Sequence, residues 1–324
     1  MEACIIVTYR CNAKCHMCNT WQFPTKPADE ITPEIVSKLP NGLDFVNITG
    51  GEPFLRLDLD KIIEVALPKT KRLVISSNGY FTERMIALAK KFPQIGVRIS
   101  IEGLPSSNDQ LRGIKGGFDR GLRSLLELRA LGLKDIGFGM TVSDVNAKDM
   151  IELYRLADSM GMEFATASTH NSYYFHKHDN TFKDPEMVAH EFERIAFELL
   201  KTRRIKNWFR AYFNYGMANY VRGGKRLMPC EVGTDMFFVD PHGKMFPCNG
   251  MDAEMPMGDL TTQTFDEIWH GKQAEIVRKA VKHCNKSCWM IGSVAPAMRK
   301  DKLTPLRWIV RQKLGLRQKD CFCE

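Results

Sequence analysis

The sequence predicts an α/β protein: six strand–helix units forming a partial barrel or open parallel sheet, then a small cysteine-rich region of a β-hairpin and a helix. Three observations predict it. Short β-branched runs alternate with amphipathic helical patterns from residue 4 to about residue 170, as parallel strands joined by long crossovers require. Six such units are too few for the eight of a closed TIM barrel. The ten cysteines fall in two groups near the two ends of the chain, with none between Cys18 and Cys230.

The expected strands are Cys4–Thr8, Phe45–Thr49, Arg72–Ser76, Gly96–Ile101, Ile136–Val142 and Glu163–Ala167. Helical patterns lie between them at Pro33–Leu39, Leu57–Ala66, Thr82–Lys91, Phe118–Leu131 and Ala147–Met160. In the last, Met150, Leu153, Tyr154 and Ala157 share one helix face. Asp184-Pro185-Glu186 opens a longer helix towards Lys201, with a cap, a first-turn proline and an early acid. Residues 235–248 read as two short strands about an Asp-Pro-His-Gly turn. Thr264-Phe-Asp-Glu267 is a capping box that starts a helix through about Val281. The expected divisions are a core with its connecting helix over 1–225, a cysteine-rich domain over 226–295 and a basic amphipathic tail over 296–324.

Composition narrows the class. The chain has 324 residues, 44% of them hydrophobic and 26% charged, ordinary values for a globular protein with a sizeable core. No apolar run approaches the roughly 18 residues that cross a bilayer, and the start has no basic segment before its short apolar stretch. A cytoplasmic protein is expected. Thiols stay reduced there, so clustered cysteines point to metal rather than disulfides. The net charge of +8 is concentrated. Residues 201–226 hold eight Lys or Arg and no acid, and a second basic stretch runs from Arg299 to Lys319. Such surfaces suit nucleic acid, anionic lipid or a phosphorylated substrate.

Cys11-Asn-Ala-Lys-Cys15-His-Met-Cys18 follows the first strand directly. Three thiolates there fit three corners of a four-iron, four-sulfur cube with one iron left open, or a zinc site completed by a distant ligand. The next strands end in Thr49-Gly50-Gly51-Glu52-Pro53, Ser76-Ser77-Asn78-Gly79 and Ser100-Ile101-Glu102-Gly103. Parallel α/β folds build their sites at strand C-termini. Each motif alone is weak, but four in register after four successive strands are specific.

With these motifs the chain resembles the radical S-adenosylmethionine (radical SAM) enzymes over roughly residues 4–170. The resemblance implies a partial (β/α)6 TIM-like barrel. It implies that Cys11, Cys15 and Cys18 hold a [4Fe-4S] cluster whose open iron chelates the amino and carboxylate groups of S-adenosyl-L-methionine. Reduction then yields a 5′-deoxyadenosyl radical that abstracts substrate hydrogen. Met17 matches the position whose backbone faces adenine, and Gly50, Gly51 and Glu52 match the segment receiving the SAM amino group. Ser76, Asn78, Ser100 and Glu102 match strand-end positions near ribose and carboxylate, with Glu102 in place of the commoner Asp.

Cys230, Cys248, Cys284 and Cys288 fit zinc or an iron–sulfur cluster by residue type. Behind such a core they resemble the SPASM/twitch extensions, which carry auxiliary [4Fe-4S] clusters. Four well-placed cysteines favour the one-cluster twitch type, with Cys321 and Cys323 read as a reduced tail. Four ligands close a cluster, which suits electron transfer and a net two-electron oxidation. Asn249 follows Cys248 where sulfatase-maturing relatives place a catalytic Asp, which disfavours that activity. Asp240, His242 and Asp252 are candidate bases, each equally a turn residue.

Two segments remain. His170–His178 reads as a surface or substrate-lining loop, and Leu303–Lys319 as a basic amphipathic helix, either docked on the core or lying on an anionic membrane. The charge raises a small anionic, sugar-derived or lipid-linked substrate above a peptide. The cluster loop begins at residue 11, so no fused peptide-recognition domain is expected. A peptide maturase (cross-link, thioether or epimer) is the alternative, and a zinc-stabilised nucleic-acid binder the remote one; no nucleic-acid partner is expected. A flavodoxin- or ferredoxin-type protein is the expected reductant.

Overall fold

The structure is a computed structural model that describes residues 1–250 and 254–315. Asp252, Cys321, Cys323 and the last cations of the basic tail lie outside the described residues.

Six parallel strands form the core: β1 (Glu2–Ile6), β2 (Phe45–Thr49), β3 (Leu73–Ser77), β4 (Gly96–Ser100), β5 (Ile136–Val142) and β6 (Glu163–Ser168). They lie in sequence order, each paired in parallel with the next. The crossovers carry α1 (Pro33–Ser37), α2 (Leu59–Ala66), α3 (Thr82–Lys91), α4 (Pro105–Arg112), α5 (Gly117–Ala130) and α6 (Met150–Ser159). All six expected strands are present within two residues at either end. Helix α4 is an addition. Its Ser-Ser-Asn-Asp composition hides it, although Pro105 at its first turn and Gly113 at φ +60° just past its end mark its limits.

After β6, α7 (Pro185–Lys201) and α8 (Ile205–Val221) form an antiparallel pair against the barrel. The hairpin β7 (Met236–Val239) and β8 (Lys244–Phe246), with the short β9 (Gly258–Asp259), does not stand apart. Strand β7 pairs in parallel with β1, giving one nine-stranded sheet ordered β6-β5-β4-β3-β2-β1-β7-β8-β9 that continues past residue 225. The helix expected from Phe265 divides at Gly271 into α9 (Phe265–Trp269) and α10 (Lys272–Lys282), with the capping box of Thr264 and Glu267 in place. Helices α11 (Ile291–Lys300) and α12 (Leu303–Lys313) follow.

Register separates two faces. Glu2, Cys4, Phe45, Asn47, Met236 and Phe238 lie level across β2, β1 and β7 and line an internal cavity. The alternate residues Ala3, Ile5, Val46, Ile48, Phe237 and Val239 are fully buried in the outer core. This is the two-residue period of a sheet with different contents on each side. Among the described residues no helix is long and apolar enough to cross a membrane.

Candidate active site

The cavity has a volume of about 380 Å³ and lies at the C-terminal ends of the core strands, continuing down inside the sheet. Its wall includes Cys11, Cys15, Met17 and Cys18, and also Gly50, Gly51, Ser76, Asn78, Ser100 and Glu102. Of the residues the sequence singles out around the first cysteine group, only Glu52 is off the wall; it sits fully buried behind it.

Three anchors hold the cysteine loop. At its base Glu30 accepts from the Arg10 side chain at 2.9 and 2.8 Å, from Thr25 Oγ1 at 2.6 Å and from Thr8 Oγ1. On one flank the end of α4 receives the loop, Lys14 N donating to Arg112 O (3.1 Å) and His16 N to Leu111 O (2.9 Å). On the other, Asn19 N donates to Phe175 O (2.8 Å) and Asn180 Nδ2 to Met17 O (3.1 Å).

The glycine pair works differently from the expectation that it lets backbone approach a ligand. A Cβ on Gly51 would fall 2.2 Å from Arg10 O, and one on Gly50 2.5 Å from Thr8 O. Only glycine lets the end of β2 lie flat on the cysteine loop, where Gly51 N and Glu52 N donate to Thr8 O (2.7 Å) and Arg10 O (2.8 Å). Glu52 then binds the next loop. Its carboxylate accepts from Phe54 N (3.1 Å), Ser77 Oγ (2.8 Å) and Asn78 N (2.7 Å). Burial raises its pKa, against the pull of those donors. Asn78 in turn donates to Asn12 Oδ1 of the cysteine loop (2.7 Å).

Sequence reasoning missed Arg112. Its side chain, 12% exposed, stands at the cavity wall and donates to Glu102 Oε1 at 3.1 Å, while Glu102 Oε2 accepts from Thr141 N at 2.5 Å. Burial lowers its pKa, but the charge of Glu102, and of Cys15 and Cys11 once deprotonated, raises it by more. Among the described residues Arg112 is the single Lys or Arg on the cavity wall. The basic segments 201–226 and 299–315 contribute none of its lining, so the charge read from sequence as substrate recognition sits elsewhere.

His170 and Trp21, also on the wall, carry the buried polar atoms Nε2 and Nε1 with no hydrogen-bond partner. His170 Nδ1 lies 3.2 Å from Ser168 O. A carbonyl only accepts, so Nδ1 holds the proton and Nε2 offers a lone pair. Burial lowers the pKa of His170, keeping the ring neutral. His176 stacks on Phe23 at 4.2 Å instead. Among the described residues no three His, Cys, Asp or Glu side chains are arranged to hold a single metal ion.

The second cysteine group is assembled by Arg226. Its guanidinium donates to Pro229 O (3.1 Å), Ser293 O (2.9 Å) and Cys288 O, drawing the segments of Cys230 and Cys288 together. Cys230 and Cys284 both raise the pKa of Cys288 by charge, after the larger effect of its burial. Lys286 Nζ donates to Gly250 O (2.8 Å), tying the Cys284–Cys288 loop to the segment after Cys248. Asn249, Met290, Ile291 and Gly292, adjoining these cysteines, line the central cavity. Asp240 and His242 do not. Asp240 Oδ1 accepts from His242 N and Lys244 N, both at 2.9 Å, and so closes the β7–β8 turn.

Comparison with known proteins agrees with this geometry. The Radical SAM superfamily model matches residues 5–157, and the SPASM model, an iron–sulfur cluster-binding domain, matches residues 230–290. The pre-heme d1 synthase of Dinoroseobacter shibae is 25% identical over 298 residues, 82% of this chain and 72% of that protein. The Fe-coproporphyrin III synthase of Methanosarcina barkeri is 32% identical over 160 residues, 47% of this chain but 39% of that protein. The solved structure of native anSMEcpe with bound AdoMet and Cp18Cys peptide superposes with a TM-score of 0.66 over 98% of this chain and 99% of that one, at 15% identity. The chain carries a radical SAM domain over residues 5–157 and a SPASM-type region over residues 230–290. It is an enzyme that binds a [4Fe-4S] cluster and S-adenosylmethionine, with a further iron–sulfur site in its SPASM region.

The residues present suit those groups. The wall offers the three cysteines of the loop beside a fixed cation, and two buried polar atoms with no protein partner. Backbone amides already point at sulfur, Ala13 N at Cys11 Sγ and Thr20 N at Cys18 Sγ, each at 3.4 Å. Burial pushes the Cys11 thiol up to about 12 and raises Cys15 as well. Such thiols stay protonated until a metal takes the proton's place.

Proposed function

We propose that this enzyme carries out a net oxidation, a dehydrogenation or bond formation, on a small molecule held in the central cavity. The observation that carries the reading is the cavity's position. Its wall includes both the Cys11–Cys18 loop and residues adjoining Cys248 and Cys288. A substrate there lies between a site that takes a hydrogen atom and a site that takes an electron.

Cys11, Cys15 and Cys18 hold the first cluster; together with SAM it supplies hydrogen abstraction from a substrate C–H. Arg112, Ser100 and Glu102 would face the carboxylate and ribose of SAM, and the wall residues Gly50 and Gly51 its amino group, with Glu52 holding that segment from behind. Met17 backs the adenine, and Ser76 and Asn78 border the ribose. Cys230, Cys248, Cys284 and Cys288 close one auxiliary [4Fe-4S] cluster of the twitch type. His170, neutral and bearing an open lone pair, orients a donor group of the bound ligand. A flavodoxin- or ferredoxin-type protein supplies the electrons.

The relatives named as synthases of pre-heme d1 and Fe-coproporphyrin III support a small molecule. Within that class an anionic, sugar-derived or lipid-linked substrate is the preferred one, the lipid-linked form drawing support from the basic surface outside the cavity. A peptide is the second reading, favoured by the fold shared with a protein crystallised with a peptide.

Deuterium tracing separates the two. Reconstituted enzyme with SAM and a reductant is incubated with low-mass and peptide fractions of deuterium-grown source cells. Deuterium in 5′-deoxyadenosine from the low-mass fraction, with a product two hydrogens lighter, is the expected result. Label transfer from the peptide fraction alone would refute it.

A further inference from the structure

We propose that the corner formed by α7, α8 and α12 seats this enzyme on an anionic lipid surface. Two basic segments about a hundred residues apart in sequence meet there. Lys313 Nζ donates to Leu200 O at 2.9 Å and lies 3.9 Å from the Trp208 ring. Trp308 stacks on Tyr215 at 4.9 Å.

Docking consumes only one side of α12. Ile309 is 2% exposed and Pro305 is buried, yet Leu303, Leu306, Val310 and Leu314 are 63%, 37%, 51% and 67% exposed. At about 100° per residue these four fall within an arc of about 80°. The arc is flanked by Arg307 and Arg311 on one side and by Lys302 and Lys313 on the other, and α12 contains no acid. The single apolar face read from sequence is thus two faces, one docked and one open.

The charge at the corner is unequally balanced. Lys201, Arg204 and Lys206 pair with Glu198, Asp158 and Glu163. Among the described residues Arg203, Lys302, Arg307, Arg311 and Lys313 make no ion pair with an acid. Ile205 is exposed at the same corner, and Phe197, Leu200 and Trp308 line an apolar cavity of about 460 Å³ beside Lys313. An exposed aliphatic stripe bordered by cations that form no close ion pair is complementary to an anionic headgroup layer over acyl chains. It is a poor match for water alone or for a neutral protein surface.

The test uses the full-length reconstituted enzyme and vesicles of phosphatidylcholine, with or without a minority of phosphatidylglycerol. The enzyme should sediment with the anionic vesicles at low salt, release at high salt because the attraction is screened, and ignore pure phosphatidylcholine. Arg307→Gln with Arg311→Gln, or Leu306→Ser with Val310→Ser, should each weaken binding about tenfold or more. These side chains face solvent, so the melting temperature and substrate-free SAM cleavage should not change. Absence of sedimentation with anionic vesicles, or equal sedimentation of wild type and both variants, overturns the proposal. So does a lipid-free dimer that Val310→Ser dissolves, since the stripe would then face a second copy of the chain.

Discussion

The indole of Trp289 occupies the space that a side chain on Gly216 would fill: a Cβ built there would lie 2.1 Å from Trp289 Cε2. Trp289 is 1% exposed and its Nε1 donates to Phe213 O at 2.9 Å. The residue after Cys288 is thereby locked into a notch of α8, and the auxiliary cysteine loop inherits its position from the core.

Gly216→Ala should therefore loosen the second site. Overpacking of this kind costs about 1–3 kcal/mol. Denaturant melts should show that loss. Iron analysis of a Cys11, Cys15 and Cys18 triple-alanine background should show weaker retention of the remaining iron.

Glu52 joins the ends of β2 and β3 through one buried carboxylate. In Glu52→Gln an amide donor must face either Asn78 N–H or Phe54 N–H, and a mismatched buried group costs about 1–3 kcal/mol. Because this carboxylate holds Asn78 in place, SAM affinity should fall roughly ten- to a hundredfold by equilibrium dialysis. The iron content should stay unchanged. Unaltered SAM affinity would show that the loop holds itself.

Asp240 carries a pH signature. Burial pushes its pKa up to about 6, against the pull of its turn amides. A carboxyl raised in the folded state opposes folding when ionised. The cost is therefore full above pH 6 and gone below the ordinary Asp value of about 3.9. Asp240→Asn keeps the acceptor for His242 N and Lys244 N. Its Tm should exceed that of wild type at pH 8, and the gap should close on acidification towards pH 4. A gap independent of pH would mean that the charge is not what the burial penalises.

Much of this was legible in the sequence, for physical reasons. Gly50–Glu52, Ser76–Asn78 and Ser100–Glu102 are polar or glycine breaks after apolar runs, a local signal at the strand ends. Cys11, Cys15 and Cys18 declare themselves by spacing. Arg112 does not, because its meaning comes from α4 folding back onto the cysteine loop, a contact between distant segments. The β1–β7 pairing is hidden for the same reason: nothing in Met236–Val239 distinguishes an isolated hairpin from a strand added to a barrel edge. Leu303–Leu314 shows the limit of periodicity. The pattern marks apolar positions but not which of them meets Tyr215.

The SPASM region should hold metal independently of the first site. With Cys11, Cys15 and Cys18 all replaced by Ala, anaerobic reconstitution should leave iron and sulfide for about one four-iron cluster. Zinc in its place, or iron for two further clusters, would contradict a single cluster on Cys230, Cys248, Cys284 and Cys288. The second result would bring Cys321 and Cys323 into ligation.

The most direct measurement is SAM cleavage by Cys15→Ala. Cys15 is half-buried on the cavity wall beside Arg112 and Glu102. Reconstituted wild type with SAM and a strong reductant should release 5′-deoxyadenosine, detected by chromatography. Cys15→Ala should release none while keeping the iron of its SPASM region. Wild-type levels of 5′-deoxyadenosine from the variant would contradict the assignment of Cys11, Cys15 and Cys18 as the cluster that activates SAM.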